Sequence, residues 1–376
     1  MSNKEAVETE GQQGLDVAIV AEPLRRPVSG GIGTYTRSLV KALAAAPGEH
    51  QVRCRLVASR APRLPDPLEQ IGVPVAAMAL PSALLVRAWD LGFARVGRGS
   101  DVVHAVSLMV PPSSAPLSVA LHDIAFRSVP DAFPPQGLAW HERALRRVAR
   151  RAQLVIVPSL TTKEALIDAR LRLEDRIVVI EYGADHLPPP DEAATEAVLR
   201  RLGVEGEYLL AVGTLEPRKN LRRLVAAYES ARSELPGPAP LVVVGPYGWG
   251  RGRPEHSPGV VFAGAVTDPV LAGLYRRALA CCYVPLVEGF GFPVVEAMRL
   301  GTPVVASAVP SSGGAALEVD PLDVDAMGDA LVRVTNDQGL RARLADSGSA
   351  RASALTWAAT ASAHARAWRE RLGRRP

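Results

Sequence analysis

The stretch Val287-Glu288-Gly289-Phe290-Gly291-Phe292-Pro293-Val294-Val295-Glu296-Ala297 decides how this chain reads, because it sets two carboxylates around a glycine turn that opens a helix. The run before it, Ala280-Cys281-Cys282-Tyr283-Val284-Pro285, reads as a buried strand. Pro293 suits a first helical turn, where its missing N–H costs nothing. Glu288 then closes the approach to the turn, and Glu296 lies one turn into the helix. Free N–H groups at a helix start attract phosphate, and glycines admit a ligand to the main chain that side chains would keep away. Carboxylates accept hydrogen bonds from hydroxyl groups, as a ribose or hexose offers. The combination points to a sugar nucleotide; two solvated surface glutamates are the competing reading.

Working outward, short β-branched strands alternate with amphipathic helices, the pattern of parallel sheets with helical crossovers, in two series. The first opens at Leu15-Asp16-Val17-Ala18-Ile19-Val20, passes a glycine loop and enters a helix near Thr34; its later strands are expected at 52–57, 102–106, 118–121, 154–157 and 177–180. The second starts at Tyr208-Leu209-Leu210-Ala211-Val212-Gly213 and continues at 241–245, 260–262, 281–285 and 303–306. Between them His186-Leu187-Pro188-Pro189-Pro190-Asp191 reads as a linker. At 376 residues and 48% hydrophobic content the chain fits two domains with two cores, and no apolar run approaches a membrane span. Its start, 1–14, is polar and acidic, lacks the apolar core of a secretory signal, and is expected to be disordered. The odd cysteine count, Cys54, Cys281 and Cys282, fits buried thiols in a reducing compartment.

A net charge of +4 carries no nucleic-acid signature, since the arginines are scattered without interleaved aromatics. A denser cluster, Arg143, Arg146, Arg147, Arg150 and Arg151, shares a helix with Trp140, Leu145 and Val148. Such a helix either rests on anionic lipid or is the solvated face of a packed helix. Ser29-Gly30-Gly31-Ile32-Gly33-Thr34-Tyr35 follows a strand and opens a helix, with Gly31 and Gly33 placed to admit a phosphate or sugar, or simply to pack tightly. No Walker lysine follows, which argues against a nucleoside triphosphatase. His122-Asp123 sits at the carboxyl end of a strand, where open α/β sheets hold ligands; Asp123 could fix the ring tautomer by accepting its N–H. Ser159 reads as a helix cap. In Gly213-Thr214-Leu215-Glu216-Pro217-Arg218-Lys219-Asn220 two cations precede a helix that Asn220 can cap, placing Arg218 and Lys219 to meet a diphosphate. Asp323-Val324-Asp325 mimics a metal-binding D-x-D, but Asp323 stands at a helix start, where capping is the reading preferred.

The Glu288 to Glu296 spacing resembles the E-x7-E signature of retaining glycosyltransferases of family four, and the likeness runs from the glycine loop to Thr356-Trp357. It implies an α/β chain of GT-B fold, two facing Rossmann-like domains around a cleft: an acceptor-side domain over 15–187, a nucleotide-sugar domain over 188–355, and a helix over 356–376 crossing back. In that family the residues matching Arg218 and Lys219 neutralise the leaving diphosphate, and His122 approaches the donor sugar with Asp123 beside it. Glu288 would hold sugar hydroxyls and Glu296 the ribose, with the N–H groups of Phe290, Gly291 and Phe292 near phosphate and sugar. Gly31, Gly33 and Gly213 would line the donor site. No protein nucleophile is implied, because the leaving phosphate helps deprotonate the acceptor, and the family works without a bound metal, so no cofactor is expected. One stretch departs from the pattern: Pro310-Ser311-Ser312-Gly313-Gly314-Ala315 is short and lacks the usual acids.

The expected activity is thus transfer of a hexose, mannose from GDP-mannose first, to a saccharide or lipid-linked acceptor. The expected location is the cytoplasm, with contact to the inner membrane face through Arg143, Arg146, Arg147 and Arg150 and no nucleic-acid partner. A sugar-nucleotide epimerase and a silent scaffold of the same fold are the alternatives, and the domains are expected to close around the donor.

Overall fold

Residues 14–46, 51–62, 64–235, 237, 239–249 and 257–373 are described by the structure, a computed structural model. The start expected to be disordered lies outside them except for Gly14. Strands β1 (Leu15–Val20), β2 (Val52–Ala58), β3 (Val75–Ala77), β4 (Val102–Ala105), β5 (Leu117–Ala120), β6 (Leu154–Val157) and β7 (Ile177–Val179) form one parallel sheet, ordered β3-β2-β1-β4-β5-β6-β7. Strands β8 (Leu209–Val212), β9 (Leu241–Val244), β10 (Val260–Gly264), β11 (Ala280–Tyr283), β12 (Val304–Ala306) and β13 (Leu317–Glu318) form a second, ordered β10-β9-β8-β11-β12-β13. Both sheets are doubly wound, and each reverses direction next to its first strand, between β1 and β4 and between β8 and β11. The edge strands β3 and β13 escape sequence reading because they are two or three residues long and lack an alternating pattern.

The covering helices are α1 (Gly30–Ala45), α2 (Ser82–Leu91), α3 (Ala125–Ser128), α4 (Pro135–Arg151) and α5 (Leu160–Asp168) in the first half, and α6 (Glu192–Arg201), α7 (Leu221–Ala231), α8 (Asp268–Arg277), α9 (Phe292–Arg299), α10 (Val324–Asn336) and α11 (Gln338–Ser353) in the second. Strand alternation splits β1 between two cores: Val17 and Ile19 point one way, Ala18 and Val20 the other. Cys281 and Cys282 likewise enter different cores. All three thiols are free and buried, and burial pushes Cys54 and Cys282 up to about 12.

The last helix, α12 (Trp357–Leu372), returns to pack on α1. A buried polar chain pins it there. The Tyr35 hydroxyl lies 2.9 Å from Nε2 of His104 on β4 and 2.9 Å from Nε2 of His364 on α12. One apolar core continues from Ile19 and Leu39 in the first half through Tyr182 and Trp357 to Phe290 and Val294 in the second.

Candidate functional site

In doubly wound sheets ligands bind beyond the carboxyl ends of the strands, at the point where strand order reverses. That rule selects the segments after β8 and β11. Between β8 and α7 the chain makes a single 3-10 turn, Pro217–Lys219, presenting Arg218 and Lys219. After β11 it runs to Glu288 and the turn that starts α9. The two segments meet at one atom, Oε2 of Glu288, which accepts from Lys219 Nζ at 2.6 Å, the Tyr283 hydroxyl at 2.6 Å and Arg218 Nη1 at 3.1 Å.

Arg218 also bonds Glu216, its Nη2 3.0 Å from Oε1, and stands 3.7 Å from Asp123 across the cleft. Burial alone would raise the Glu288 carboxyl, yet the Lys219 and Arg218 charges overrule it and hold it at about 2. Glu216 goes the other way: burial raises it above the usual carboxylate range, against the pull of Arg218 and Lys219. Burial would likewise depress Arg218, but Glu288, Asp123 and Glu216 raise it above its ordinary value. Burial, and the charge of Arg218 beside it, lower Lys219 below its ordinary value, against the pull of Glu288. The site is therefore a cluster in which Arg218 and Glu288 are held charged, with Lys219 paired to the same carboxylate just before the turn that starts α9. The opening N–H groups of a helix have no partner inside it. Gly291, at φ +100°, makes that turn, and a Cβ there would stand 2.2 Å from Val309 Cγ1.

His122 follows β5 in the facing half. Its Nε2 lies 2.9 Å from the Val106 carbonyl, which can only accept, so Nε2 carries the proton. Nδ1 is then the acceptor for the Tyr182 hydroxyl at 2.8 Å. This corrects the expected role of Asp123, which does not orient the imidazole. Its Oδ1 accepts the Ala125 N–H at 2.9 Å instead, because the chain bends into α3 directly after it. Tyr182, missed in the sequence because it lies in coil before the linker, is wedged among Phe290 (centroids 5.0 Å), Phe292 (5.6 Å) and Trp357 (6.1 Å).

The two halves touch at this point. Ser159, which caps α5 as expected by accepting the Thr162 N–H, donates from Oγ to the Gly289 carbonyl at 2.8 Å. A Cβ on Gly289 would lie 1.7 Å from the His122 carbonyl oxygen, so only glycine permits the approach. Gly289→Ala is accordingly expected to hold the halves apart, raising the radius of gyration in small-angle scattering and lowering the expected hexose transfer at least ~10-fold, with circular dichroism unchanged. Unaltered scattering and rate would show that the clash is absorbed locally.

Other expected site residues fall nearby or elsewhere. Gly31 and Gly33 lie within the first turns of α1, which starts at Gly30, so the expected glycine loop is helical. A Cβ on Gly31 would meet the Phe292 ring at 3.2 Å, and one on Gly33 would clash with Ser29 Oγ at 2.0 Å. Gly213 lies beside the Lys219 stem and the Tyr283 ring. Glu296 stands apart from the charge cluster: 6% exposed, it accepts from His186 Nε2 at 2.9 Å and from the Tyr275 hydroxyl at 2.8 Å. Asn220 does not cap α7 with its side chain, which donates to the Val284 and Pro321 carbonyls and ties the turn to the end of β11. Asp323 caps α10 by accepting the Ala326 N–H. The short 310–315 loop folds onto the turn that starts α9: Ser311 donates its N–H to the Phe290 carbonyl and its hydroxyl to the Gly291 carbonyl. Arg147 cannot join an exposed basic face, since it is buried and paired with Asp90 on α2. No helix among the described residues is long and apolar enough to cross a membrane.

Residues 30–183 match the family model "Glycosyl transferase 4-like domain", and residues 206–337 match "Glycosyl transferases group 1". The chain belongs to this glycosyltransferase family, and it is a glycosyltransferase of GT-B fold. It is 29% identical over 371 residues to the O-antigen chain mannosyltransferase B of Escherichia coli, covering 91% of this chain and 96% of that one. It is 32% identical over 243 residues to the D-inositol 3-phosphate glycosyltransferase of Salinispora arenicola, covering 57% and 54% of the two chains. Anabaena HepE, solved with UDP and glucose, superposes with a TM-score of 0.71 at 19% identity, over 95% of this chain and all of that one.

Proposed function

We propose that this protein is a retaining hexosyltransferase that moves a hexose, mannose from GDP-mannose first, to a saccharide or lipid-linked acceptor in polysaccharide or glycoconjugate synthesis. The observation that carries the reading is the convergence of Arg218 and Lys219 on the Glu288 carboxylate beside the start of α9. Breaking a bond from sugar to phosphate builds negative charge on the departing oxygen, and two fixed cations next to a helix N-terminus are preorganised for it. The Escherichia coli mannosyltransferase relative, aligned along nearly its whole length, supports the donor sugar.

In this reading Arg218 and Lys219 take the diphosphate. Glu288 keeps Oε2 on its cations and offers Oε1, which has no protein partner among the described residues, to a sugar hydroxyl. His122 exchanges the Val106 carbonyl for a hydroxyl near the reacting centre, with burial favouring its neutral ring and Tyr182 orienting it. A carboxylate accepts about four hydrogen bonds, so Glu296 has capacity for ribose hydroxyls beside His186 and Tyr275. The main chain at Phe290, Gly291 and Phe292 approaches phosphate and sugar, and Gly31, Gly33 and Gly213 leave them room. The leaving phosphate deprotonates the acceptor on the same sugar face, with no metal. The protein would act in the cytoplasm, at the inner membrane face.

The test is thermal stabilisation and slow sugar release with UDP-, GDP- and dTDP-sugars, on the native chain and on Arg218→Ala and Glu296→Ala. GDP-mannose at about 100 times its Kd is expected to add ~2.7 kcal/mol, lost in both variants. Retention is read from the product anomer by NMR. No stabilisation by any nucleotide sugar, or an inverted product, would refute the reading.

A further inference from the structure

We propose that α2 and α4 together form a docking face for an anionic lipid leaflet, with the apolar side chains of α2 inserting beside the arginines of α4. The two helices lie side by side: Arg147 of α4 pairs with Asp90 of α2, and the Trp140 indole N–H donates to the same carboxylate at 3.1 Å. Both cover one sheet face, since Leu85 and Trp89 share a buried cluster with Leu145 and Val148. Residues on the far side of each helix therefore face solvent in the same direction. On α2 these are Leu84, Arg87 and Leu91, at i, i+3 and i+7; on α4 they are Arg143, Arg146 and Arg150, with the same spacing.

Three large apolar side chains stand out from this surface: Leu84 is 59% exposed, Leu91 61%, and Phe93, just past α2, 67%. The charge is one-sided. The acids of these helices are engaged, Asp90 by Arg147 and Glu142 by Arg127, while every exposed charged side chain on α2 and α4 is an arginine. None of Arg143, Arg146 and Arg150 forms a salt bridge among the described residues. Uncompensated positive charge beside isolated protruding apolar groups, without a groove, matches a fluid anionic surface, which needs no shape complementarity. The face also adjoins the cleft. Ahead of α4, the Phe133 ring meets Trp249 of the opposite half at 6.1 Å, and Trp249 donates to the Ala132 carbonyl. A lipid-linked acceptor held at this surface would reach the site along α4, so the purpose of the face rests on the reading of such an acceptor.

The test is vesicle flotation of the full chain, which needs no donor and stays informative if that reading fails. Binding is expected to vesicles with about one-third phosphatidylglycerol, to weaken with salt, and to be absent on pure phosphatidylcholine. The triple variant Arg143→Gln/Arg146→Gln/Arg150→Gln should bind on the order of 100-fold more weakly, at about five-fold per arginine. Leu91→Ser/Phe93→Ser should lose binding that high salt leaves in the native chain. Both variants should keep the native melting temperature and transfer to a soluble acceptor. No flotation of the native chain, or flotation that neither variant weakens, overturns the proposal. So does a native dimer in light scattering that the variants convert to monomer, which would make the face a contact between copies.

Discussion

Arg218→Ala is expected to lower kcat/KM for glycosyl transfer by about 10²–10³-fold, the usual cost of removing one preorganised stabiliser of developing negative charge. The same change should destabilise the fold, for a separable reason. Arg218 stands among Glu288, Glu216 and Asp123 in a nearly buried pocket, and without it only Glu288 keeps an ion pair, to Lys219, while Glu216 and Asp123 lose theirs. Removing one partner of a buried charge cluster leaves the others uncompensated, at about 3–5 kcal/mol. Glu216, already raised by burial, would take up a proton and relieve part of that cost. Arg218→Ala/Glu216→Gln should accordingly recover stability in urea unfolding and leave the rate as low as in the single variant. A single variant within about five-fold of the native rate would remove Arg218 from the chemistry. If activity returned together with stability in the double variant, the arginine would be structural only.

How far the chain can be read without coordinates follows from the range of each interaction. The two sheets were legible because a parallel strand is a local event: Leu154–Val157 and Ile177–Val179 announce themselves by composition alone. Arg218, Lys219 and Glu288 were legible as candidates because each lies at a strand-to-helix turn, where open sheets keep their ligands. Their convergence on one carboxylate oxygen was not, since it depends on β8 and β11 being neighbours although β9 and β10 lie between them in the chain. Tyr182 and Glu216 carry no local mark, and both matter through partners distant in sequence or through burial. The orienting role expected of Asp123 failed for a related reason. Adjacency along the chain suggested a partner for His122, whereas the fold supplies a carbonyl 16 residues away and a phenol 60 residues away. Arg147 shows the limit of helical spacing: a stripe of arginines fixes which residues share a face, but not that a carboxylate on α2 will draw one of them inward.

Stability is expected to fall steeply as pH drops from about 6.5 to 4, and the buried chain through Tyr35 is the reason. Its direction is fixed by its ends. The Thr360 carbonyl accepts from His364 Nδ1 at 2.8 Å, so His364 Nε2 is unprotonated and accepts from the Tyr35 hydroxyl. The Tyr35 oxygen then accepts from His104 Nε2, and His104 Nδ1 accepts from the Ser118 hydroxyl at 3.1 Å. Both histidines are neutral, and a proton added to either sets two donors face to face. Burial holds His364 at about 4 and, with the nearby histidines, His104 well below its ordinary value. The sign follows: between about pH 6.5 and 4 the unfolded chain binds protons that the fold refuses, so stability rises with pH in that window and is lost as pH falls through it. For His364 alone the loss is about 3 kcal/mol, with His104 adding in the same direction. His364→Gln keeps an acceptor for Tyr35 and a donor for Thr360 without titrating. Urea unfolding of the variant should therefore show a flatter pH dependence than the native chain, by about 3 kcal/mol across the window, while parallel curves would sink the account. Because the comparison subtracts His122, common to both chains, the difference reports on the polar chain that bonds α12 to α1. That bond also serves the site, since α1 carries Gly31 against Phe292 at the start of α9. Acid that frees α12 should slow transfer before the chain unfolds.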